Sequence, residues 1–177
     1  MTIAPDGRGY LTYTAIDPGD NAHTLVIEQL DSTLTTGTGR HVVTDSSPGA
    51  ADLAEAPGLF YGPNDAWYLV YSDPARPYLT TGTGVMNGPR SSADPIGTYS
   101  QPRSLVSDSC NGQPSGVWPI QNAGGRTVFV YGSDRWDNGN TNQSNATNYF
   151  GSLTFASSIA EGRAIDGYVC QQFWSLS

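Results

Sequence analysis

The sequence contains no lysine, and its eight basic residues, all arginine, face 16 Asp and Glu, giving a formal net charge of −8 over 177 residues. The arginines are nowhere clustered. Nucleic-acid binding draws on a basic stripe that releases counterions from phosphates, so nucleic acid is excluded as a main partner. Long hydrophobic runs are missing too. None approaches the roughly 18 residues of a membrane span, and Met1-Thr2-Ile3-Ala4-Pro5-Asp6 has neither the basic head nor the apolar stretch of a signal peptide. The expectation is a soluble, leaderless chain with no membrane partner. Histidine is scarce: His23 and His41 are the two present, in β-rich segments without partner spacing. Neither a zinc site nor any other cofactor is expected.

Aliphatic residues are thin. Leu, Ile, Val and Phe make up 33 of 177 positions, about a fifth, which with the charge approaches the composition of disordered chains. The aromatics point the other way. Ten Tyr, four Trp and five Phe each bring a large area to bury, and disordered chains are poor in them. With 21 Gly and 12 Pro and no window that sustains a 3.6-residue apolar period, the composition reads as all-β with many turns.

A segment recurs. Tyr10-Leu11-Thr12-Tyr13 follows Asp6-Gly7, Tyr68-Leu69-Val70-Tyr71 follows Asn64-Asp65, and Val128-Phe129-Val130-Tyr131 follows Gly124-Gly125. A turn former feeds a short β-rich run ending in Tyr each time, at a spacing of about sixty residues, as when one strand returns in successive units. Between these anchors lie further strand candidates: 23–29, 40–43, 58–61, 78–86, 115–120, 148–155 and 164–169. Three or four short antiparallel strands per unit is the pattern of a propeller blade; a two-sheet sandwich is the competing arrangement. The expected domain is a single partial β-propeller over residues 1–177, with blade-like units at about 1–52, 53–110 and 111–177. On this repeat the first unit lacks an opening strand.

Two polar residues stand one repeat apart at strand openings. Glu55 precedes the apolar run around Leu59-Phe60, and Gln113 precedes Ser115 to Ile120. Innermost blade strands aim their first residues at a common channel, where desolvation would suit a Glu to general acid work. The plain alternatives are a solvated turn Glu and a turn amide. Asp134 and Trp136 follow the third repeat's strand and could hold a sugar, the Trp by stacking on the pyranose face. They could equally form a turn with a packed Trp. Tyr71 is counted with them as a candidate sugar contact. Cys110 and Cys170 lie one repeat apart; paired they would indicate an oxidising compartment, and unpaired they would be buried thiols.

The segments Glu55-Ala56-Pro57-Gly58-Leu59-Phe60, Trp67-Tyr68-Leu69-Val70-Tyr71-Ser72, Ser109-Cys110-Asn111-Gly112-Gln113-Pro114 and Tyr131-Gly132-Ser133-Asp134-Arg135-Trp136 together resemble glycoside hydrolase family 43. Within it they are most similar to the branch of exo-β-1,3-galactanases. The resemblance implies a five-bladed propeller, of which about three blades are present, and an inverting hydrolase of plant or microbial polysaccharide. It implies Glu55 as general acid and Gln113 in the place of the usual base. The water-activating Asp of the first blade and the Asp that tunes the acid would precede Met1. The implied partner is an oligo- or polysaccharide, and the implied parent protein is an extracellular monomer. Alternatives are a non-catalytic carbohydrate-binding propeller and, more remotely, a protein-interaction scaffold.

Overall fold

The computed structural model describes residues 1–19, 22–44, 53–73, 82–90, 93–106, 108–135, 146–155, 165–167 and 170. Trp136 and parts of two strand candidates, residues 78–81 and residues 164, 168 and 169, lie outside them. Three antiparallel sheets follow one another along the chain. The first is β1 (Thr2–Ile3), β2 (Gly9–Ile16), β3 (His23–Leu30) and β4 (Gly37–Thr44), paired in that order. The second is β5 (Glu55–Gly62), β6 (Ala66–Asp73), β7 (Gly82–Arg90) and β8 (Arg103–Val106), and the third is β9 (Gln113–Gln121), β10 (Thr127–Arg135) and β11 (Thr147–Ser152). A short pair, β12 (Thr154–Phe155) with β13 (Ile165–Gly167), stands apart from the third sheet. The expected four-strand unit is therefore three strands plus a separate pair among the described residues. The architecture is all-β and that of an incomplete propeller.

Tyr13, Tyr71 and Tyr131 occupy the second strand of their respective sheets, as the repeat requires. Side-chain alternation then decides what each faces. On β6, Trp67, Leu69 and Tyr71 pack with Tyr10, Leu25 and Ile27 of the first sheet, whereas Tyr68 and Val70 pack with Val117 and Tyr131 of the third. The middle sheet is thus covered on both faces, and its second strand reads as a continuous apolar run. Tyr71 and Tyr131 each look toward the preceding sheet and are buried; Tyr13, by the same alternation, faces outward and is 36% exposed. Leu11 and Val43 on the first sheet, and Trp118 and Phe150 on the third, are exposed as well.

Cys110 and Cys170 form a disulfide, which resolves the alternative left open by their spacing. Closing a 60-residue separation restricts the unfolded chain by about 4 kcal/mol in the loop-entropy account. Cys110 sits in a turn where Ser109, Cys110 and Asn111 all have positive φ (46°, 60° and 63°), an arrangement that costs L-residues energy at each position. Buried hydrogen bonds hold it: Ser109 Oγ lies 2.7 Å from Thr83 Oγ1, and the Ser133 hydroxyl donates to the Ser109 carbonyl at 2.6 Å.

A polar clamp ties the other end of the first sheet to the segment after β7. The Asp94 carboxylate accepts from Arg40 and, at 2.9 Å, from the Ile96 N–H, with Arg8 at 3.7 Å. Burial pushes the Asp94 carboxyl up, but the Arg40 hydrogen bond, the Ile96 N–H and the charges of Arg40 and Arg8 outweigh it and hold the carboxyl below its usual range. A depressed folded-state value contributes stability above the unfolded value, near 3.9, and that contribution disappears as pH falls through the folded value. Asp94→Asn is expected to cost about 1 kcal/mol or less at neutral pH, because the pair is partly exposed. Urea denaturation at pH 7 and in acid checks this: the gap between wild type and variant should close in acid, and a gap of constant size would rule out a charge effect.

Candidate functional site

The inner strands β5 and β9 open alike. Glu55-Ala56-Pro57-Gly58 and Gln113-Pro114-Ser115-Gly116 each carry a register shift: Glu55 pairs Ser72 and Gly58 pairs Val70, while Pro114 pairs Ser133 and Gly116 pairs Gly132. One extra residue is accommodated in each strand, a β-bulge. The bulge is what allows Pro57, which has no N–H to give a ladder, to lie within β5. Ala56 takes φ 50° and Gly116 φ 148° to make the bends.

The two bulged strands meet glycine to glycine. A Cβ on Gly58 would lie 3.0 Å from the Gly116 Cα and 3.2 Å from Val70 Cγ2. The closeness of the two backbones brings their opening residues together. Gly58→Ala is expected to push β5 and β9 apart and to destabilise the chain by about 1–3 kcal/mol, the usual cost of overpacking. Equilibrium denaturation measures it, and a neutral result would show that the strands can separate freely.

Glu55 and Gln113 do converge. Gln113 Nε2 donates to Glu55 Oε2 at 3.2 Å and to the Ser72 hydroxyl oxygen at 3.4 Å. Gln113 and Ser72 are buried, whereas the Glu55 side chain retains 29% exposure. On the other side of the carboxyl, His23 Nδ1 lies 3.5 Å from Glu55 Oε1. One carboxyl is therefore contacted by one residue from each neighbouring sheet.

The distance bears on the role expected of Gln113. The two carboxyl groups of an inverting reaction stand about 6.5–9.5 Å apart, leaving room for substrate and water. Gln113 is instead in direct hydrogen-bond contact with the Glu55 carboxyl. Tyr71 is revised: its ring is 3% exposed and packed over Gly84 between the first and second sheets, so it has no face to offer a sugar. Asp134 pairs directly with Gln113 across β9 and β10 and is half-buried, one strand outward from Glu55. Trp136, its expected companion, is outside the described residues.

His23 and Ser72 carried no signal that marked them as site residues. His23 is 32 positions from Glu55 and opens a different strand. Ser72 is brought beside Glu55 by pairing with it in register, which is visible only once the β5 bulge is known. Among the described residues, no three of His, Cys, Asp or Glu gather as metal ligands.

No protein-family model matches the sequence, and no curated protein matches it closely enough to count as a relative. Solved structures do match. The crystal structure of endo-1,4-beta-xylanase from Bacteroides thetaiotaomicron VPI-5482 superposes with a TM-score of 0.62 at 18% identity, over 95% of this chain and 56% of that one. A thermostable family-43 glycoside hydrolase superposes with a TM-score of 0.61, also at 18% identity, over 94% of this chain and 56% of that one. The chain spans little more than half the length of either protein, and over that span it shares their fold.

Proposed function

We propose that this chain is part of a family-43-type glycosidase that cleaves plant or microbial polysaccharide with inversion, on β-1,3-galactan or an arabinan-type substrate. The observation that carries the proposal is the partly exposed carboxyl of Glu55, met by residues of both neighbouring sheets and hydrogen-bonded by Gln113. Glu55 protonates the departing glycosidic oxygen. Gln113 and Ser72 keep its carboxyl aimed, and Asp134, with Trp136, contacts the sugar. The water-activating carboxylate comes from sheets additional to the three described, as an inverting reaction needs a second group beyond the acid. The 177-residue chain alone is expected to hydrolyse little or nothing. The Cys110–Cys170 disulfide supports an oxidising compartment, and an extracellular, monomeric parent protein is part of the proposal.

The test is hydrolysis of β-1,3-galactan and arabinan by the chain extended upstream, with the product anomer followed by NMR. Release of the inverted anomer supports the reading. Polysaccharide binding without hydrolysis would instead support a non-catalytic carbohydrate-binding propeller.

A further inference from the structure

We propose that His23 is a positioning residue for Glu55, gripping the carboxyl oxygen that Gln113 leaves free; the inference rests on the reading of Glu55 as general acid. His23 opens β3 opposite Ile16, the last residue of β2. It is 5% exposed, and its Nδ1 makes no hydrogen bond among the described residues. A buried ring nitrogen without a partner is costly, and Glu55 Oε1 lies 3.5 Å from it. That is a few tenths of an ångström beyond good hydrogen-bond geometry. Catalytic hydrogen bonds are commonly loose in the free enzyme and tighten when substrate closes the site.

The two partners of the carboxyl can both act as donors. The Gln113 amide nitrogen only donates, so it suits Oε2 whether or not Glu55 carries its proton. With its own proton on Nδ1, the His23 imidazole donates to Oε1 in the same way, leaving the acid proton on Oε2 to be given to the glycosidic oxygen. One His23 tautomer therefore stays bonded through both states that a general acid must visit. Gripped on one side from the first sheet and on the other from the third, Glu55 keeps one orientation while its proton leaves and returns.

Two measurements test this, one without activity. In the 177-residue chain, ¹⁵N NMR of the two imidazoles should show the His23 Nδ1 resonance moving on Glu55→Gln, while the exposed His41, whose Nδ1 faces the Gly39 carbonyl, stays put. An unmoved His23 resonance overturns the contact. In the upstream-extended enzyme, His23→Leu should lower kcat roughly 10- to 100-fold with KM little changed, the size expected when a catalytic group loses its alignment. His23→Asn, whose amide nitrogen falls near the place of Nδ1, should recover most of the loss. If Glu55→Gln abolishes hydrolysis while His23→Leu folds and leaves kcat unchanged, the positioning role fails alone. If Glu55→Gln has no effect, the general-acid reading fails and takes this one with it.

Discussion

Glu55→Gln is expected to lower polysaccharide hydrolysis by the upstream-extended enzyme about 10²- to 10⁴-fold, the usual worth of general acid catalysis. The substitution is nearly isosteric. The amide keeps an oxygen for the Gln113 donor but has no carboxylic proton to give, so the loss is chemical rather than structural. The leaving group provides the internal control. Sugar alkoxides are poor leaving groups and need protonation as the bond breaks, whereas activated aryl glycosides depart with little help. The variant should therefore fall least on aryl substrates, and the ratio of the two losses measures how much acid assistance was removed. Equal losses on both would point to disturbed binding. Full activity in the variant would falsify the assignment of Glu55.

Trp67→Ala should destabilise the chain by about 3–5 kcal/mol, the range for removing a fully buried large aromatic. Trp67 has no exposed surface and lies between the first two sheets. Its ring is edge-on to Tyr10 at 6.1 Å and to Tyr61 at 5.2 Å between centroids, contacts that contribute beyond area alone. Sheets packed face to face cannot collapse into the void without shifting whole strands, so the cavity persists. Since domains have only about 5–15 kcal/mol in hand, the variant should show a much lower denaturant midpoint with an unchanged slope. Trp67→Phe, which keeps a ring in place, should lose clearly less. A variant as stable as wild type would mean that the first and second sheets do not share this core in solution.

The strands and their repetition were legible in the chain because their causes are local. Turn formers ahead of alternating or continuous apolar runs set β2, β6 and β10, and the return of the pattern aligned them as equivalents. The same repeat paired Glu55 with Gln113 as matching strand openings. β1 and β8, at two and four residues, left no such mark, since segments that short have no period to read. Tyr71 looked available for a sugar because a tyrosine's letter does not say which sheet will cover it.

What the sequence by itself determined, then, is the all-β repeating architecture and which polar residues open the inner strands. Tertiary structure decided how those residues meet. The Gly58–Gly116 contact drew Gln113 into hydrogen-bond range of Glu55. Sheet pairing delivered Ser72, packing of the first sheet delivered His23, and the Cys110–Cys170 bond closed although its spacing allowed either outcome. Each of these depends on the relative placement of different strands or sheets, to within an ångström or so, and no local preference of the chain encodes that distance.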